Sequence, residues 1–346
     1  MTYFCKRSTY DATYSFKELY GWYDTVISLL DGIDVSFTDI DEAKNHIAIG
    51  LVPKTSQIGK VQLIEKLSKT NVPIEAVEFI AEERAEPNAT LRDRLRPVRG
   101  GSYMDFAPGT ACTLGMVVKI AGDRGVLTNS HCSEKIWQRD TTQYYQNYST
   151  TSNSYIGQET SDPAYFTSST YSWCPGGYAC RHSDSLFIRS NITDLGTVWK
   201  TTGINSGSLQ IRTTPDPMDE YVQFFKMSGK EYANPPGTVM HKVGARTGWS
   251  SGQVLRSCVG SYVAAYSTTA DGKKRYINCN TEYKANGDSG DSGSPVFERF
   301  VVNGMYFHVF HGLNWGSARD SNGNFLYSIY SDVRSIEKDL GTITVK

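Results

Sequence analysis

The chain has 346 residues, 39% of them hydrophobic, and a formal net charge of −1. The length allows two domains and the apolar share a sizeable core, so global disorder is excluded. A near-neutral balance without a basic stripe argues against a nucleic-acid partner. Apolar runs far below the roughly 20 residues of a spanning helix argue against a membrane protein.

The first residues, Met1-Thr2-Tyr3-Phe4-Cys5-Lys6-Arg7, have no apolar core of a secretion signal. Residues 15–30 place Leu19, Trp22, Tyr23, Val26, Ile27 and Leu30 at helical spacing. Residues 45–52 read as a strand. Residues 58–69 set Ile58, Val61, Ile64 and Leu67 three apart, an approximate helical face, and residues 74–81 read as a second strand. Strand, helix and strand in this order predict a βαβ unit in a small α/β segment. The polar, basic stretch 82–99, with Arg92, Arg94, Arg96 and Arg99 around Pro97, reads as a linker. The expected organisation is therefore an N-terminal α/β segment and linker, 1–99, followed by a second domain, 100–346.

Beyond Gly100 the texture changes to short strands between turn residues. Candidates are 112–119, 125–129, 185–189, 253–256, 276–279, 294–297 and 305–312, and only 331–340 looks helical. The Tyr/Ser/Thr-rich stretch 141–172 reads as long surface loops. With 22 Tyr and 31 Gly in the chain, an all-β barrel or sandwich is expected. Of seven cysteines, Cys112, Cys132, Cys174, Cys180, Cys258 and Cys279 form an even set beyond residue 100, the pattern of a disulfide-bonded domain from an oxidising compartment. Sequons at Asn88, Asn147 and Asn191 are compatible with secretion.

Three short motifs carry chemistry. A serine becomes a nucleophile when a neighbouring base takes its proton, and that base needs a third group to hold its tautomer. Gly290-Asp291-Ser292-Gly293-Ser294-Pro295 supplies a serine in a glycine-flanked turn followed by Val296-Phe297. Thr128-Asn129-Ser130-His131-Cys132 follows a strand, and Ser183-Asp184-Ser185 begins one. Each alone is weak; the three together, in the order His, Asp, Ser, are specific. Gly287-Asp288-Ser289-Gly290 repeats the first motif, but Ser292 is preferred to Ser289 because the proline and apolar strand follow it directly. The six histidines show no His-x-x-x-His spacing beside an acid, so no metal or other cofactor is expected.

These residues resemble the chymotrypsin-like serine proteases. Leu127 to Cys132 is similar to their Leu-Thr-Ala-Ala-His-Cys block, and Gly290 to Pro295 to their Gly-Asp-Ser-Gly-Gly-Pro. His241 to Gly244, leading to Thr247-Gly248-Trp249, resembles a block of secreted bacterial-type members. The resemblance covers about residues 100–346. It implies two packed antiparallel β-barrels, with His131 as general base, Asp184 as its orienting group and Ser292 as nucleophile. It assigns the oxyanion hole to the N–H groups of Gly290 and Ser292, and backbone binding of a protein or peptide substrate to Asn314-Trp315-Gly316. It also implies a Cys112–Cys132 disulfide; Cys174–Cys180 and Cys258–Cys279 are paired on sequence proximity and flanking strands. Asn286, six residues before the serine, stands at the expected base of the primary pocket, and its neutrality predicts no preference for Arg or Lys. The chain departs from the family at Ser294, at Asp288 where a cysteine is common, and in lacking a processed Ile-Val-Gly-Gly start. A buried Asp291 would then need another cation, for which Arg246 is the candidate. The N-terminal region resembles the pro-regions of bacterial-type secreted members, which would cover the cleft. The resemblance places the protein outside the cell. The competing reading is a protease-like binding or adhesion protein with a silent cleft.

Overall fold

The computed structural model describes residues 12–84, 89–107, 109–146, 153–263, 269 and 271–346. Cys5 and the sequons at Asn88 and Asn147 lie outside the described residues; Asn191 is exposed. The chain divides into two compact units, Met1–Pro87 and Asn88–Lys346.

In the first unit the helix Phe16–Ser28 starts at a capping box: the Glu18 N–H donates to Ser15 Oγ, and the Glu18 carboxylate accepts from the Ser15 N–H. Its buried positions are Leu19 and Val26. The strands Val35–Asp41, His46–Leu51 and Val77–Ala81 form one sheet, the first pair antiparallel and the second parallel. The helix Ser56–Leu67 joins the parallel pair, which is the expected βαβ unit. Two details differ from the sequence reading. Val35–Asp41 was not expected, because Asp39 and Asp41 interrupt its apolar alternation with a residue type depleted in strands. The helix also buries a different face: Gly59, Leu63 and Leu67 are inside, whereas Ile58 and Val61 are 64% and 65% exposed. A spacing of three drifts around a helix with 3.6 residues per turn. A spacing of four from Gly59 keeps to one side, and a Cβ at Gly59 would lie 3.1 Å from Ile33, so the missing side chain allows close packing there.

The second unit begins earlier than the sequence suggests. Residues 89–99 belong to it: Leu91 and Val98 are fully buried, Thr90 bridges Gln210, and Val98–Gly100 pairs with Thr193–Trp199. The expected linker is thus partly core, its apolar residues hidden among arginines, of which Arg99 is itself only 12% exposed and lies over the rings of Trp199 and Phe224.

Two sheets dominate this β unit. One has six strands in the order Ile343–Thr344, Val117–Ile120, Asp123–Thr128, Leu186–Arg189, Tyr155–Ser161 and Gln143–Tyr145. The last two fall in the stretch expected as surface loop, where Tyr, Ser and Thr conceal an alternation whose inner residues include Tyr144 and Ile156. The other sheet has ten strands, nine in its main path and Phe325–Asp332 beside it. Within it Gly248–Val263, Val239–Gly244, Pro295–Val302, Met305–Arg319, Phe325–Asp332 and Lys274–Tyr283 pair successively, and the last pairs back to the first. Those six strands form a closed ring. Met240, Val254, Tyr283, Ala285, Val296 and Tyr330 fill one core of this sheet; a larger core joins Leu127 and Phe187 of the first sheet to Phe225, Trp249 and Phe297 of the second. The only described α-helix of this unit is Val333–Leu340, capped by Asp332, whose side chain accepts from the Ser335 N–H.

Three buried histidines in this unit should make its stability acid-sensitive. His241 accepts from Trp249 Nε1 at 3.1 Å, His308 lies 3.5 Å from Asp219, and His311 bonds Asn234 at 2.8 Å. Burial, above all, lowers each from the usual 6.5 to about 4; Arg299 adds to this for His241 and His308. A depressed folded-state pKa means that stability is complete above pH 6.5 and is lost as pH falls toward 4, since the unfolded chain takes up the protons first. The melting temperature should fall steeply across that interval, and His308→Phe should flatten the fall. A profile flat from pH 7 to 4 contradicts this.

Candidate active site

His131 follows the strand Asp123–Thr128 in a single helical turn, Ser130–Cys132. Asp184 precedes Leu186–Arg189, and the pairing of Leu186 with Thr128 brings the two loops to the same end of adjacent strands. Asn129 Nδ2 ties them by donating to the Asp184 carbonyl at 2.7 Å. Ser130 Oγ donates to Asp162 at 2.6 Å and accepts from the Trp137 N–H at 2.7 Å.

Asp184 is buried and its carboxylate is surrounded by donors. Oδ2 accepts from His131 Nδ1; Oδ1 accepts from the His131 N–H and from Trp137 Nε1, each at 3.3 Å. Its own N–H donates to Ser331 Oγ at 3.1 Å. Burial pushes the carboxyl pKa up, but the charge and hydrogen bond of His131, with Arg181 and Trp137, outweigh it and hold the group below the usual range. Beneath lies an ion cluster that sequence reading missed. Arg181 is fully buried, donates to Asp162 at 2.6 Å and to the Ser185 carbonyl at 2.7 Å, and has Asp339 at 3.6 Å. A charged residue inside the strand Tyr178–Arg181 was the available signal.

Ser292 sits in the turn before the strand Pro295–Val302 and lines a cleft of about 770 Å³. Two bonds from one residue fix this turn: the Thr113 N–H donates to the Ser292 carbonyl at 2.7 Å, and Thr113 Oγ1 to the Gly290 carbonyl at 2.8 Å. Thr113 adjoins Cys112, which is disulfide-bonded to Cys132 next to His131. Cys132 Sγ lies 3.9 Å from the Ser292 carbonyl. The serine turn and the histidine turn are therefore fastened to each other. Gly293 has φ +92°, and a Cβ there would lie 2.1 Å from the Thr113 carbonyl, so only glycine fits after Ser292. The N–H groups of Gly290 and Ser292 donate to no described residue. Ser289 also lines the cleft but is exposed, and its N–H is turned to its neighbour Asp288 at 2.8 Å.

Asn314, Trp315 and Gly316 line the same cleft on the strand Met305–Arg319, and Gly293 N–H donates to the Asn314 carbonyl at 2.8 Å. Asn286 does not join them. It is exposed, lies outside the cleft lining, and its carbonyl accepts from Ser250 Oγ at 2.9 Å. The charged residues lining the cleft are Glu282, Asp288 and Arg319 instead. Glu282 is held by Arg256 at 2.5 Å, and Arg319 lies 3.4 Å from Asp288.

Asp291 is fully buried as expected, but its cation is not Arg246. Lys242 Nζ lies 2.9 Å from Oδ2, and both side chains are hidden from solvent. Thr247 Oγ1 donates to the same oxygen at 2.7 Å and the Asp288 N–H at 3.1 Å; the N–H groups of Arg246 and Thr247 donate to Oδ1 at 3.0 and 3.1 Å. Burial pushes this pKa up, and Lys242 and Thr247 more than offset it. Arg246 occupies the turn between two strands, so its backbone faces Asp291 while its side chain is 55% exposed toward Asp288. Lys242 is inside because it lies within the strand Val239–Gly244, on the side facing the carboxylate.

All three expected disulfides are present, with Cα separations of 6.2, 5.9 and 3.6 Å for Cys112–Cys132, Cys174–Cys180 and Cys258–Cys279. The ligand atoms of Cys112, His131 and Cys132 cluster within 4.8 Å, but both sulfurs are committed to the disulfide. No described helix is long and apolar enough to cross a membrane.

The chain is similar in structure to bacterial serine proteases. Protease A of Thermobifida fusca matches at 17% identity over 72% of this chain and 99% of its own, with a TM-score of 0.44. A protease from Nocardiopsis matches at 19% identity, 72% and 98%, with 0.43. A serine protease specific for glutamic acid matches at 20% identity, 72% and 100%, with 0.45. No protein-family model and no curated protein matches the chain.

Proposed function

We propose that the chain is a serine endopeptidase that cleaves peptide bonds through an acyl-enzyme. The observation that carries this reading is the buried Asp184 carboxylate on His131 Nδ1, in a turn fastened by disulfide and hydrogen bonds to that of Ser292. With Nδ1 donating to Asp184, Nε2 is the ring atom left to act as base. Ser292 Oγ gives its proton to Nε2 as it attacks the substrate carbonyl; the imidazolium, stabilised by Asp184, then returns that proton to the leaving amine. Water, activated by the same nitrogen, hydrolyses the ester on Ser292. The N–H groups of Gly290 and Ser292 receive the oxyanion. Asn314 to Gly316 bind the substrate backbone along the cleft.

The first unit acts in this proposal as a pro-region that restrains activity until removed. Three disulfides support an extracellular setting. After removal of residues 1–87, a fluorophosphonate probe should label the protein on one site, and Ser292→Ala should abolish labelling while Ser289→Ala retains it. No labelling of the folded unit would favour the silent binding protein; labelling lost with Ser289 would move the nucleophile.

A further inference from the structure

A second cavity of the Asn88–Lys346 unit has no part in the proposed chemistry. This groove of about 640 Å³ is lined by Arg94, Arg96 and Arg189, with no Asp or Glu in its lining. Arg94 Nε donates to the Asn153 carbonyl at 2.6 Å, and Arg96 Nη2 to the same oxygen at 3.0 Å. Two guanidinium groups thus share one neutral acceptor. Arg96 is held further by the Tyr155 carbonyl at 3.4 Å, the Leu95 carbonyl at 2.8 Å and Gln146 Oε1.

Neither Arg94 nor Arg96 has a carboxylate within ion-pair distance among the described residues, and residues 147–152 contain no acid. Arg189 is 62% exposed, with its nearest acid, Asp123, at 3.7 Å. Like charges held side by side without a counter-ion repel, and burial, with the Arg94 charge next, lowers the proton affinity of Arg96. The Nη groups of Arg94 and Nε of Arg96 donate to no described residue. Unused N–H forks in a groove without acids are an arrangement that an oxyanion completes. A carboxylate offers two oxygens. A sulfate or phosphate group offers more acceptors at tetrahedral angles and suits a groove lined by three arginines better.

We propose that this groove is a binding site for a sulfate or phosphate group, held by Arg94, Arg96 and Arg189. Arg96 is the built-in floor, fixed by backbone carbonyls; Arg94 and Arg189 are the exposed arms. The proposal does not depend on the protease reading, since it is read by binding alone.

The test is calorimetric titration of the full chain with sodium sulfate at low ionic strength, with sodium chloride of equal ionic strength as control. Arg189→Gln and Arg94→Gln both replace exposed side chains and leave the Arg96 floor in place; each should weaken sulfate about tenfold. A sulfated polysaccharide, compared at equal sulfate concentration, separates the sources. Arginine-dependent binding that is tighter for the polymer identifies a polymer-borne group, and equal affinity identifies the free ion. Heat from sulfate no greater than from chloride, variants that bind as wild type does, or poly-glutamate binding more tightly than either sulfate source would each overturn the proposal.

Discussion

His131→Ala is expected to lower kcat by about four to six orders of magnitude after removal of residues 1–87, leaving only substrate binding and the oxyanion donors. KM should change little, because the imidazole acts on the reacting bond and not on the bulk of the substrate. Asp184→Asn should cost about four orders while keeping the fold. The present carboxylate accepts from three donors. An amide can keep its oxygen toward the His131 N–H and Trp137 only by turning its NH2 toward His131 Nδ1. The ring must then accept at Nδ1 and carry its proton on Nε2, where it cannot act as base. Single-turnover kinetics on a peptide ester and far-UV spectra of both variants check this. Folded variants that keep more than about a hundredth of wild-type activity would remove the mechanism.

How much of this was legible follows from how local each signal is. His131, Asp184 and Ser292 could be singled out as candidates because each stands in a short motif whose flanking residues have their own reason to be there. Cys132 beside His131 locks two turns together, and Gly293 after Ser292 answers a close backbone approach. The disulfides were readable because each pair is close in sequence, with separations of 20, 6 and 21. The strands Gln143–Tyr145 and Tyr155–Ser161 were not, since their Tyr, Ser and Thr residues conceal the alternation. Arg181 and the segment 89–99 escaped for a related reason: composition assigns arginine to solvent, whereas Arg181 is buried by carboxylates that arrive from residues 162 and 339. Asn286 stands exposed and outside the cleft lining, since counting back from the serine fixes a position in the chain and not its place in the fold.

Lys242→Met should be the most damaging change away from the reacting atoms. It leaves Asp291 buried without its cation, and breaking a buried pair in this way costs about 3–5 kcal/mol. Thr247 and three backbone N–H groups still reach the carboxylate, which argues for the lower end of that range. Those same bonds define the turn from Asp288 to Ser292, whose N–H groups are the proposed oxyanion donors. Loosening it should reduce kcat/KM by about two to three orders of magnitude. The pH dependence separates this from general damage. In the wild type the Asp291 pKa is depressed, so its contribution to stability is present above the usual 3.8 and is lost only as pH falls through the lower folded-state value. Without Lys242, burial pushes that pKa up, and the acid limbs of both stability and kcat/KM should move to higher pH. Arg246→Ala should do neither. Its side chain is 55% exposed and the bond to Asp291 comes from its backbone N–H, which alanine keeps. A surface change of that kind stays within about 0.5 kcal/mol. Equal damage from the two substitutions, or an unmoved acid limb in Lys242→Met, would show that the turn is supported without the lysine charge.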